Sequence, residues 1–309
     1  MKSALIKLHI AVFIWGFTGI LGKFIELNEG LLVWYRLLIT LSSFTLFLYF
    51  TKSSLNIEKQ NAKKLMLNGC IIGLHWVFFY GSIKYSNVSV GLICLSTISF
   101  FTAILEPIIT KTKFSITSAM LSLLGVVGIA LVFHFDNRYR TGIIIGLISA
   151  FFSALFSCYN KKNVATASTE AVMFYQLLGG IIFLSIIMPF YLKYFPSTSL
   201  LPTLKDIVGL LVLSWVCTIV AMWLSLQALK KVTAFTQNLT LNLEPVYGVA
   251  LAFIFYNEQK DLSSTFYWGM LLIILSVVLQ MIRVYKQHKK QQLLTSLEMF
   301  PYKNPLPLE

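Results

Sequence analysis

The sequence predicts an all-α membrane protein, ten transmembrane helices in two inverted five-helix repeats, and three observations carry that expectation. Of 309 residues, 57% are hydrophobic and only 12% charged, about half the charge of an ordinary soluble domain, and mean hydropathy is +0.77. Apolar runs of about 20 residues, the length that crosses a bilayer, recur along the whole chain. Lys and Arg collect in alternate connections between those runs.

Hydropathy windows bounded by charges and turn residues place the ten segments in order. The first, Leu5–Ile25, follows Lys2 and Lys7 as a signal peptide would. Its run is too long for one, contains Trp15 and lacks an A-x-A-like cleavage site, so it is expected to stay as a membrane helix. Gly30–Phe50, Leu65–Ile83, Val88–Thr110 and Ser115–Phe133 complete the first half. Gly142–Tyr159, Ala171–Leu192, Ile207–Leu229, Thr233–Tyr256 and Thr265–Val284 form the second. The connections are short, leaving no room for an inserted soluble domain. The expected organisation is a first repeat over 1–136, a second over 137–285, and a polar, basic and then Pro-rich cytoplasmic tail over 286–309 that is expected to be disordered.

The formal net charge of +13 would suit nucleic acid if the cations formed a patch. Instead, 17 of the 25 Lys and Arg fall in the connections on one side and 6 on the other, with Lys23 and Arg36 inside segments. The positive-inside rule then puts both termini in the cytoplasm of a multi-pass inner (plasma) membrane protein, with no nucleic acid partner. Cys70, Cys94, Cys158 and Cys217 each lie in an apolar run without a CxxC pair, which speaks against a disulfide framework or a zinc site. No cofactor or metal is expected. The expected partners are a small-molecule substrate, the bilayer and a second copy of the chain in a homodimer.

Five plus five segments force the halves into opposite orientations. Weak self-similarity supports this: Trp15-Gly16 and Lys23 align with Ser153-Ala154 and Lys161, and Lys84 aligns with Lys230. Two registers compete across the fourth and ninth segments. Anchoring on Lys84 and Lys230 sets Ser99 opposite Pro245, whereas anchoring on Leu105-Glu106-Pro107 and Leu243-Glu244-Pro245 pairs Glu106 with Glu244. The first is preferred, because the second needs a deletion inside a segment.

The ninth segment carries Thr236, Gln237, Asn238, Thr240, Asn242, Glu244 and Pro245 through its middle. At 3.6 residues per turn Gln237, Thr240 and Glu244 share a face, with Asn238 and Asn242 beside it. A carboxylate at a helix centre costs roughly 2.5–3.5 kcal/mol on insertion scales, so this face is expected to meet a wet cavity.

Taken together, the ten segments, Trp15-Gly16, Tyr35-Arg36, His75-Trp76, Leu105-Glu106-Pro107, Leu243-Glu244-Pro245 and Asn257-Glu258 resemble the EamA-like family of the drug/metabolite transporter superfamily over about Leu5 to Val284. The resemblance implies a secondary transporter, commonly an exporter of amino acids or other small metabolites, with a central cavity between the halves. Two departures stand out. Ser99 occupies a position where such proteins usually have a helix-bending proline, and Thr112 one where the first half often has glutamate.

Counting at 1.5 Å per residue puts Trp15, His75, Trp76, Ser96, Ser99, Asn242 and Glu244 near the bilayer centre, where inverted-repeat carriers bind substrate. With Gln237 and Asn238 they are the candidate cavity residues. Glu244, His75 and Glu106 are the proton-coupling candidates, Glu106 lying roughly 10 Å nearer the cytoplasm. Each has a packing alternative: a helix-packing acid for Glu244, a hydrogen-bonded core imidazole for His75, and core aromatics for Trp15 and Trp76 rather than rings that stack on substrate. Arg36 is expected to join Lys23, Glu26 and Glu29 in an ion cluster at the external rim, with a role in binding a substrate carboxylate as the other reading. With His75 and no Lys or Arg at the midplane, a small, weakly charged or zwitterionic metabolite is favoured over a nucleotide sugar or sugar phosphate. The absence of metal-binding, nucleophile or phosphate-loop motifs, and of charge rings, leaves an intramembrane enzyme or a channel as remote alternatives.

Overall fold

Short polar side chains just ahead of the apolar runs set where several helices begin. The computed structural model describes residues 2–135, 137–164, 167–197 and 199–299. Asn28 accepts the Leu31 N–H to cap α3 (Glu29–Thr51), and Ser168 accepts the Ala171 N–H to cap α9 (Thr169–Tyr194). Asn87 and Thr233 do the same for α5 (Val88–Leu95) and α12 (Ala234–Leu241). Each supplies an oxygen to a backbone N–H that the helix itself cannot satisfy. The remaining α-helices are α1 (Lys2–Trp15), α2 (Thr18–Phe24), α4 (Lys59–Lys84), α6 (Ile98–Thr110), α7 (Ile116–Phe135), α8 (Arg140–Asn163), α10 (Leu204–Ser214), α11 (Ala221–Leu229), α13 (Glu244–Tyr256) and α14 (Ser264–Met299). No strand occurs among the described residues.

Seven helical stretches are long and apolar enough to cross a membrane: Lys2–Phe24, Glu29–Thr51, Lys59–Lys84, Val88–Thr110, Arg140–Asn163, Thr169–Tyr194 and Leu204–Leu229. Ile116–Leu131, Glu244–Tyr256 and Ser264–Ser276 are shorter apolar helices. Helix α14 runs on to Met299 through the first part of the tail expected to be disordered, and residues 300–309 lie outside the described residues. Large apolar side chains such as Phe47, Phe50, Ile186, Phe190, Ile254 and Phe255 point outward. A water-soluble surface would not display so many. They are the lipid-facing surface of a membrane protein.

Packing pairs α4 with α8 and α9, α7 with α14, α1 with α11, and α6 with α8 and α12. Glycine decides the closest of these contacts. A Cβ on Gly69 of α4 would sit 2.0 Å from the Gln176 carbonyl oxygen of α9, and one on Gly179 would sit 2.1 Å from that of Met66. Small residues that let backbones touch are the usual means of helix association in lipid, where the hydrophobic effect drives nothing.

The two competing registers are separated by these coordinates. One constant interval relates the starts of α5 and α12 (Val88, Ala234), their ends (Leu95, Leu241), the starts of α6 and α13 (Ile98, Glu244), and the left-handed residues that end those helices, Lys111 at φ 57° and Asn257 at φ 52°. That interval is the one between Lys84 and Lys230. It puts Ser99 opposite Pro245.

Candidate functional site

Three of the apolar stretches break in their middles, and the side chains at the breaks explain why. The stretch 2–24 breaks between Trp15 and Thr18, 88–110 between Leu95 and Ile98, and 234–256 between Leu241 and Glu244. The Thr18 hydroxyl donates to the Trp15 carbonyl at 2.7 Å, Ser96 to Ile93 at 2.6 Å, and Thr97 to Cys94 at 2.7 Å. A hydroxyl that takes a carbonyl three residues back competes with the helix for it. In the third break Pro245 brings no N–H at all. The fourth segment therefore bends without the usual proline, through Ser96 and Thr97, and Asn242 donates to the Ser99 hydroxyl at 3.0 Å, tying two breaks together. The stretch 204–229 stays helical but widens to a π-turn over Trp215–Val220, whose Cys217 carbonyl accepts from the Trp15 indole at 2.8 Å.

A cavity of about 70 Å³ lies where these interruptions meet. Each break contributes the residue before it and the first residue after it: Trp15 and Thr18, Leu95 and Ile98, Leu241 and Glu244. The π-turn adds Cys217 and Thr218. The cavity walls carry two formally charged side chains, Arg36 and Glu244, which are 1% and 7% exposed. The guanidinium lies over the Trp76 ring, 3.7 Å from its centroid, and donates from Nε to Thr218 Oγ1 at 2.8 Å and from Nη1 to the Tyr80 hydroxyl at 2.9 Å.

Arg36 thus corrects two expectations. It is not part of a rim cluster with Lys23, Glu26 and Glu29: Lys23 pairs with Glu258, Lys205 with Glu26, and Glu29 accepts from Tyr191. Nor is the cavity free of Lys and Arg. The helix α3 starts at Glu29, so Arg36 sits two turns inside it, and its long side chain reaches inward from there.

The same architecture is found in known proteins. A model of the EamA-like transporter family matches residues 2–134 and, a second time, residues 140–282. The chain belongs to the EamA-like transporter family. No curated protein sequence matches it. Solved structures do, among them a chain described as "Crystal structure of protein", with TM-score 0.67 and 13% identity over 93% of this chain and 99% of that one. At that identity the likeness speaks for the fold.

Against the EamA-like pattern the remaining candidates divide into lining and scaffold. Trp15, His75, Trp76, Gln237 and Glu244 line the cavity. Trp76 lends its face to Arg36, and His75 Nδ1 lies 3.0 Å from the Ser149 carbonyl oxygen and 2.9 Å from its hydroxyl. Gln237 donates to Ser225, and its Oε1 has no partner among the described residues. Ser96, Ser99, Asn238 and Asn242 are buried behind the lining, where Asn238 accepts from Ser157 and donates to Thr102. The expected single face of Gln237, Thr240 and Glu244 does not survive the break, and Thr240 turns back to the Thr236 carbonyl. Glu106 lies outside the lining and accepts the Ala234 N–H at the first turn of α12. Sequence reading also passed over a buried carboxamide trio in which Asn68 and Gln176 both donate to Asn160 Oδ1. Its only trace was a single amide inside each of two apolar runs and one just past the end of a third.

Proposed function

We propose that this EamA-like protein is a secondary carrier that exports a small metabolite, such as an amino acid, by alternating access around the cavity, with proton coupling. In this reading ten helices cross the inner membrane as two oppositely inserted repeats, 1–136 and 137–285, with both termini in the cytoplasm. The cation distribution supports that orientation. The observation that carries the function is the meeting of three helix breaks at one cavity. Interrupted helices free backbone groups and give the two halves places to bend, which is how inverted-repeat carriers build a central site.

Glu244 is the coupling group in this reading. It is the first residue of α13 and lines the cavity, and its carboxylate has no hydrogen-bond partner among the described residues. A carboxyl so placed can hold a proton in one half of the cycle and release it in the other. A growth screen of overexpressing cells against toxic amino acids and analogues identifies a substrate for reconstitution. In proteoliposomes, Glu244→Gln is expected to abolish transport driven by a pH gradient while leaving the melting temperature close to that of the parent. Unchanged gradient-driven transport removes Glu244 from the mechanism. Counterflow decides carrier against channel, because trans-stimulation by unlabelled substrate is expected of a carrier only.

A further inference from the structure

We infer that Arg36 is a carboxylate anchor, so that the cavity selects small molecules bearing a carboxylate and an apolar tail over their ester and amine analogues. The inference rests on the carrier reading above and names which end of the substrate is held, and by what.

The charge on Arg36 is compensated only at a distance: Glu244, on the same cavity wall, acts on it through space without forming an ion pair. A guanidinium 1% exposed inside a helix bundle is expensive unless an anion faces it. Among the described residues no carboxylate lies within 4.0 Å of Arg36. Its two protein acceptors are the hydroxyls of Thr218 and Tyr80, which fix direction but bring no charge. Of five N–H groups on the fork, those at Nη2 have no acceptor among the described residues.

The fork is also held ready. Trp76 supports its flat face, Thr218 holds it at Nε and Tyr80 at Nη1, and Tyr80 itself is fully buried. A planar fork fixed in advance loses little freedom when a carboxylate arrives at the open Nη2 end. A lysine in the same place would offer a point charge without that geometry. The rest of the wall suits a hydrocarbon tail, with Ile72, Phe79, Phe156 and Leu226 among the lining residues. A ligand that also carries an ammonium group finds acceptors in Glu244 and the unpartnered Gln237 Oε1.

The test uses four probes that share an isopropyl tail on the full chain in detergent: L-valine, isovalerate, L-valine methyl ester and isobutylamine. Thermal stabilisation at millimolar concentration reports binding. Valine and isovalerate are expected to stabilise the protein, and the ester and amine to bind roughly tenfold more weakly or worse. Arg36→Lys is expected to lose most of that preference, and Thr218→Val, which frees the fork without touching its charge, to lose part of it. The comparison among probes needs no variant, so a poorly folding substitution does not decide the matter. Equal binding of valine and its methyl ester overturns the inference, as does a preference that survives in Arg36→Lys, or failure of both carboxylates to bind. Carboxylate-selective binding without counterflow in proteoliposomes sinks the carrier reading and leaves the anchor standing. Counterflow that runs equally well with the ester does the reverse.

Discussion

At the first turn of α5, Glu258 Oε1 accepts the Val88 N–H at 3.1 Å, and Oε2 accepts the Ser89 N–H at 2.9 Å and its hydroxyl at 2.7 Å. Lys23 completes the site with an ion pair at 2.9 Å, and Glu258 is 1% exposed. At the first turn of α12, Ala234 is the repeat equivalent of Val88, and its N–H is accepted by Glu106 at 3.1 Å. Glu106 is half-buried, and Lys161, the counterpart of Lys23, reaches the carbonyls of Leu229 and Val232 rather than a carboxylate. Both ends fasten a broken helix by an acid at its N-terminus, where the helix dipole favours negative charge. The acids come from different places. Glu258 follows the left-handed Asn257, whereas Thr112 follows the left-handed Lys111 and leaves the task to Glu106, further back in α6. A missing glutamate is thus replaced from the same helix, and the replacement is the more exposed.

That comparison makes an ordered set of predictions. Glu258→Ala removes buried charge-assisted bonds to two N–H groups, so about 2–4 kcal/mol of stability is expected to go, seen as the largest fall in melting temperature in detergent. The exposed side of Lys23 keeps the figure from being higher. Glu106→Ala is expected to cost about 1 kcal/mol, as loss of a helix cap usually does. A fall for Glu106→Ala equal to that for Glu258→Ala would break the comparison. The smallest effect sharpens it: adding Thr112→Glu to Glu106→Ala is expected to restore roughly half of the lost stability. No recovery would mean that Thr112 and Glu258 are not equivalent positions.

The apolar segments, their order and the repeat register were legible because hydropathy and the Lys84–Lys230 spacing are properties of the chain alone. Of the residues that helix rise puts at one depth, Trp15, His75, Trp76 and Glu244 line the cavity, while Ser96, Ser99 and Asn242 lie behind it. Arg36 was misjudged because counting gives depth and not direction. Lys23 and Glu29 are its neighbours in sequence, yet they turn to Glu258 and Tyr191. The break after Trp15 carries no proline, and hydroxyls that bend a helix look the same in sequence as hydroxyls that do not. The face assigned across Asn242 failed for the same reason, since a helical wheel assumes a helix that continues.

Where Gly69 and Gly179 bring α4 and α9 together, main chain meets main chain with no side chain between them to flex. The wall bearing His75 and Trp76 is consequently joined to its neighbour backbone to backbone, and in the proposed carrier cycle any rocking falls to the stretches holding Trp15, Cys217 and Glu244, which are already interrupted or widened.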